Sequence, residues 1–200
     1  MLKREEREEP AVRRSIEFAI SGGILLVVLG LLFPVLRSNH IRQDIETAQA
    51  ELGQLRTAIL AFYQDTGQFP TRGPNGDDRS LHRLCGPGQI PAGAYYRKDL
   101  HQGWLADHLG TNAPAPEVEC PYQNWAGPYW EPRPDPWGTA YIAVLYPATR
   151  DDPRDCVVIS AGPNRLMDAD YSSPYDVVPS GDDIVVVILD KSEADRAPVF

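Results

Sequence analysis

Asn164, Asp168, Asp170, Asp176, Asp182 and Asp183 place six side-chain oxygen donors within twenty residues near the C-terminal end. Gly162, Pro163 and Gly181 share that stretch. Calcium takes six to eight oxygens and mixes carboxylates with backbone carbonyls, so such a loop suits it, although no EF-hand spacing is present. The same residues also read as a solvated acidic loop. Other chemistry is sparse. His101 and His108 lie seven apart beside Asp107 and can share a helix face, but a pair of this kind reads first as surface residues. Trp104, Trp125, Trp130 and Trp137 are expected to pack between loops and sheet rather than to form a sugar-stacking face. There is no Gly-x-Ser-x-Gly, no P-loop and no dinucleotide fingerprint, so no enzyme activity is expected and no catalytic residue is assigned.

The three cysteines, Cys85, Cys120 and Cys156, form no Cys-x-x-Cys or Cys/His cluster, which argues against zinc. In an oxidising compartment Cys85 and Cys120 can bridge, one of three possible pairings, while Cys156 abuts Val157-Val158-Ile159 and reads as buried.

The elements that must position these residues begin with an apolar run. Phe18 to Leu36 holds nineteen uncharged positions, about the length needed to cross a bilayer core. A buried core helix or a cleavable signal peptide are the competing readings, and Pro34-Val35-Leu36-Arg37 offers no small-x-small cleavage site. Lys3, Arg4, Arg7, Arg13 and Arg14 precede the run, so the positive-inside tendency places the N-terminus in the cytoplasm and the rest in a periplasm. The chain has 200 residues and a net charge of -9, and positions 38–200 carry 13 basic against 23 acidic side chains. That size permits one domain plus an anchor, and that charge makes nucleic acid an unsuitable partner.

Beyond Leu36, apolar residues recur at Ile41, Ile45, Ala48, Leu52, Leu55, Ile59 and Phe62, spaced alternately four and three. This is one stripe on a helix, either a coiled-coil seam or, better suited to the strand-rich region that follows, a face packed on a sheet. Gly67 and Pro70 end it. A helix from Glu17 to Asp65 would span about 73 Å, with Pro34 loosening its membrane half. Residues 72–120 show no sustained period and should hold at most short helical turns. Strands are expected over Thr139–Tyr146, Cys156–Ser160 and Asp183–Leu189.

Four blocks in order carry a resemblance: Ala58-Ile59-Leu60-Ala61-Phe62-Tyr63 with Asp65-Thr66-Gly67-Gln68-Phe69-Pro70-Thr71; Trp125-Ala126-Gly127-Pro128-Tyr129; Asp135-Pro136-Trp137-Gly138-Thr139-Ala140-Tyr141; and Ser160-Ala161-Gly162-Pro163-Asn164 leading to Asp182-Asp183-Ile184. Glu17 followed by Pro34 adds a fifth signal of the same spacing. The chain thereby resembles the major pseudopilins of type II secretion systems, the general secretion pathway G family of the type IV pilin superfamily.

The resemblance implies an α+β, pilin-like fold in which a long N-terminal helix, half in the membrane and half soluble, packs on a small antiparallel sheet. Its divisions would be a leader or tail at 1–16, a transmembrane helix at 17–37, its soluble continuation at 38–66, a loop-and-sheet domain at 67–190 and a tail at 191–200. It further implies subunits that self-associate into a helical filament at the inner membrane, with other pseudopilins and inner-membrane secretion components as partners. By position, the family's calcium loop falls on Asp168, Asp170 and Asp183, with Asp182 and the Leu166 carbonyl behind them. The family cuts its leader after a small residue before phenylalanine; here Val12-Arg13 stands at that point. With the leader retained, Arg13 or Arg14 of a neighbouring subunit would neutralise Glu17, because an unpaired carboxylate at the membrane edge is costly. Two functional classes follow: a filament subunit, or a non-polymerising membrane protein that uses a pseudopilin-like ectodomain as a binding or assembly module.

Overall fold

The structure is a computed structural model that describes residues 9–71, 83–94, 105–112, 122–145, 156–169 and 179–189, with the backbone alone over most of 9–36. Its elements are α1 (Glu9–Thr66), β1 (Arg83–Cys85), α2 (Leu105–Leu109), β2 (Ile142–Leu145), β3 (Cys156–Ser160) and β4 (Ile184–Leu189). Two compact units divide the chain, Met1–Gln43 and Asp44–Phe200. The first is helical from Glu9 onward, where Pro10 suits a first helical turn that needs no donor. Among the described residues no helix is long and apolar enough to cross a membrane. The run Phe18–Leu36, on which the expectation of a membrane segment rests, lies outside the described side chains apart from Gly23 and Gly30.

In the second unit the architecture is α+β: helix packed on a small antiparallel sheet. The four strands form a meander in the order β1-β2-β3-β4, every neighbouring pair antiparallel. Alternation sends Leu84, Ala143, Leu145, Val158 and Ile188 to one face, where they join Leu52, Leu55, Ala58, Ile59 and Phe62 of α1 in one buried cluster. The helical stripe therefore meets a sheet and not a second helix. On the opposite face Cys85, Ile142, Val144, Val157 and Ile159 pack with Ala161, Met167 and Ala169. Burial on both faces explains why β2 and β3 read as unbroken apolar runs.

Polar side chains beside the α1 stripe tie helix to sheet. Tyr141 donates its hydroxyl to Glu51 at 2.5 Å. Arg133 pairs with Glu51 at 3.0 Å and donates to Gln54 at 2.7 Å, and Arg56 donates to the Val187 carbonyl at 2.9 Å. Helix α1 stops at Thr66, one residue past the expected end; Gly67 adopts a positive φ of 71° and donates to the Tyr63 carbonyl.

Two expectations for the 72–120 region need correction. Arg83–Cys85 is a strand, paired with β2, because its short apolar pair finds a cross-strand partner that no local period announces. His108 is not a surface residue: α2 turns it fully inside, where Nδ1 lies 2.6 Å from the Tyr122 hydroxyl, and its carbonyl accepts from Trp125 Nε1 at 3.0 Å. His101 and Trp104 lie outside the described residues. Trp130 is buried, and Trp125 packs against the helix-side core, in keeping with tryptophans used for packing.

The motif residues act as clamps. The Tyr129 hydroxyl donates to Asp65 at 2.7 Å and accepts from Ala126 N at 2.8 Å, joining the end of α1 to the loop that contains the cis Gly127-Pro128 bond. Asp135, only 3% exposed, takes four donors: Trp137 N at 3.0 Å, Thr139 N at 2.7 Å, Thr139 Oγ1 at 2.5 Å and Ser160 Oγ at 2.8 Å. Pro136 and Trp137 complete the turn between these partners, and Gly138 closes it at a φ of 83°. A buried carboxylate is tolerated only when its lone pairs are filled in this way. The clamp fixes the turn before β2 to the last residue of β3.

Candidate metal centre

Neighbouring antiparallel strands bring the end of β3 and the start of β4 side by side, since Ser160 pairs with Ile184. The chain segments just outside that pair are therefore close, whatever the length of the loop between them. Gly162 (φ 64°) and Gly181 (φ 62°) permit the approach: a Cβ on Gly162 would stand 2.3 Å from the Asp182 carbonyl oxygen, and one on Gly181 would stand 2.2 Å from Asp168 Oδ2. A side chain at Gly162 would collide with backbone, and one at Gly181 would displace the Asp168 side chain.

One carboxylate oxygen from each of Asp168, Asp182 and Asp183 lies within 4.8 Å of the others. Asp183 Oδ2 accepts from Asp168 N at 2.7 Å and Ala169 N at 2.5 Å. Asp182 Oδ2 accepts from Asn164 N at 2.9 Å, and Asn164 Nδ2 donates to Asp168 Oδ2 at 2.8 Å. In each case the second oxygen, Oδ1 of Asp182 and of Asp183, is buried with no hydrogen-bond partner among the described residues. Burial pushes the Asp183 carboxyl up to about 6, with the charges of Asp168 and Asp182 adding to it and the Ala169 and Asp168 amides opposing it. Three negative groups held together with unfilled oxygens suit a hard divalent cation, which would fill those lone pairs and cancel the repulsion.

Asp168, Asp182 and Asp183, three of the residues on which the resemblance places a calcium loop, lie together. Asp170, the remaining carboxylate of that set, lies outside the described residues. Leu166 is exposed; its amide donates to Asn164 Oδ1 at 2.6 Å, and it bridges Ala92 across the loop. Asn164 is the contributor that side-chain counting undervalues, because its amide cross-links Asp168 while its own N–H holds Asp182. Glu17, Pro34, Arg13 and Arg14 fall on α1 where side chains are not described. Cys85 is a free, buried thiol on β1, and Cys120, the other end of the expected bridge, lies outside the described residues; Cys156 is buried on β3, as expected from its apolar neighbours.

Compared with family models, with curated proteins and with solved structures, the chain finds no match in any of the three.

Proposed function

We propose that this chain is a structural subunit of a pseudopilus or type IV pilus-like filament serving protein secretion across the bacterial envelope, with calcium stabilising its C-terminal loop. The observation that carries the reading is the packing of Leu52, Leu55, Ile59 and Phe62 on an antiparallel meander whose β3–β4 loop gathers three aspartates. A pilin-like subunit needs those parts: a helix with one face buried on a sheet, and a loop whose charge is neutralised from outside. In this reading α1 is one long helix. Its Phe18–Leu36 portion crosses the inner membrane with the N-terminus cytoplasmic, and the sheet domain is periplasmic. Subunits self-associate through the membrane portion, where, if the leader is retained, Glu17 meets Arg13 or Arg14 of a neighbour, and other pseudopilins and inner-membrane secretion components are the partners. The role is structural and not enzymatic.

Calcium would be held by the Asp168, Asp182 and Asp183 carboxylates, with further oxygens from Asp170, the Leu166 carbonyl and water completing its shell. Metal at a hundred times its dissociation constant stabilises a folded state by about 2.7 kcal/mol, which for a chain of this size raises the melting temperature by roughly 5–11 °C. Chelation with EGTA should reverse the rise. No shift with calcium sinks the metal assignment.

The second reading, a non-polymerising membrane protein with a pseudopilin-like binding or assembly module, is favoured by one feature: Val12-Arg13 stands where processing would need a small residue before phenylalanine. Intact mass and N-terminal sequence of the protein from its native membrane separate the two. Cleavage near Val12-Arg13 supports the filament subunit, whereas an intact leader together with no filament on overexpression supports the module. A Glu17→Ala variant that assembles normally removes the role given to Arg13 and Arg14.

A further inference from the structure

A groove of about 500 Å³ opens between α2 and the segment from Pro128 to Pro132. Its walls are held at fixed spacing by Tyr129 N donating to the Leu109 carbonyl at 2.8 Å. Gly110 ends α2 with its N–H on the Ala106 carbonyl at 2.9 Å, and a Cβ there would meet Pro132 Cγ in ordinary contact at 3.6 Å. Two carboxylates, Asp107 and Glu131, line the groove beside the apolar surfaces of Pro128, Tyr129 and Pro132, and among the described residues no lysine or arginine lines it. Among the described residues neither carboxylate has a hydrogen bond or ion pair, while Arg133 and Arg56 are taken up by Glu51, Gln54 and the Val187 carbonyl. Partial burial pushes the Asp107 carboxyl above its usual range.

We propose that this groove docks a basic side chain, lysine or arginine, carried on an extended segment of a protein partner. Charge complementarity selects the occupant. The groove is lined by two carboxylates together with the apolar surfaces of Pro128, Tyr129 and Pro132, which suits a long aliphatic stem ending in a cation. Its walls are preset by backbone hydrogen bonds, so binding requires little ordering on this side. The inference stands apart from the filament reading, because it rests on Asp107 and Glu131 and not on the helix or the metal loop.

The test uses the purified full chain and a short peptide, blocked at both ends, with one arginine among glycines and serines, followed by saturation-transfer NMR. The control peptide carries citrulline, the neutral isostere. Saturable transfer from the arginine peptide is expected, with little from the citrulline peptide. Glu131→Gln and Asp107→Asn should each weaken binding about twofold to fivefold, the range of a partly screened ion pair. Asp44→Asn, an acidic position on α1 outside the groove, should leave it unchanged. Melting temperatures within about 2 °C of wild type establish that the variants fold. Three results overturn the proposal: a dissociation constant weaker than about 1 mM, equal binding of the citrulline peptide, or an Asp44→Asn effect as large as that of Glu131→Gln.

Discussion

Replacing Asp135 by alanine tests the clamp between the β2 turn and β3. The change removes an acceptor that four donors use and leaves the hydroxyls of Thr139 and Ser160, 1% and 0% exposed, together with Thr139 N, without their partner. A buried donor left unsatisfied costs about 1–3 kcal/mol, and a hydroxyl can rotate to recover part of that, so the sum should fall near 3–5 kcal/mol. For a chain of 200 residues this corresponds to a fall in melting temperature of roughly 6–20 °C. Asp135→Asn should cost less, about 1–2 kcal/mol, because Oδ1 still accepts from the Trp137 and Thr139 amides while the new NH₂ faces two hydroxyls that can turn to accept. Ser160→Ala removes one donor and should cost about 1 kcal/mol. The double variant Asp135→Ala/Ser160→Ala should cost less than the sum, since one orphaned hydroxyl is gone. Thermal unfolding followed by tryptophan fluorescence, in EGTA to silence the neighbouring loop, reads all four. A melting temperature for Asp135→Ala within about 2 °C of wild type, or equal losses for the alanine and asparagine variants, would refute the reasoning.

The remaining predictions concern the loop and the core. Asp183 titrates near 6 when folded against 3.8 as its ordinary value, so the folded state holds the proton more tightly; the associated stability is fully present below pH 3.8 and is lost as pH rises through about 6. Asp183→Asn should therefore raise the metal-free melting temperature at pH 7.5, lose that advantage near pH 4, and abolish stabilisation by calcium; a pH-independent effect contradicts it. Gly181→Ala should weaken calcium binding at least about tenfold, because its Cβ drives into Asp168, which calorimetry can measure. Burial pushes the Cys85 thiol up to about 12, so peptide mapping after iodoacetamide treatment at pH 8 should find Cys85 unmodified until the chain is unfolded.

Legibility in the sequence followed the range of the interactions. The stripe from Ala48 to Phe62, the Gly67 stop and the strand Cys156–Ser160 were all readable, because helix period, left-handed caps and apolar runs are properties of neighbouring residues. Strand β1 and the inward turn of His108 were not. A three-residue strand is stable only through its pairing with β2, and the buried ring of His108 meets the hydroxyl of Tyr122, fourteen residues on. The Gly-Pro-Tyr and Asp-Pro-Trp-Gly motifs stood out as patterns, yet their physical use, Tyr129 on Asp65 and Asp135 on Ser160, joins residues 64 and 25 positions apart.

The acidic loop draws the same division. Composition alone determined that oxygen ligands crowd residues 164–183 and that glycines lie among them. Which carboxylates converge was decided by the antiparallel pairing of Ser160 with Ile184, which carries Asp182 and Asp183 to the side of Asp168 and leaves their Oδ1 atoms buried and unfilled. Spacing along the chain measures what a loop contains; only the register of the strands that hold its ends sets which of those groups share one point in space.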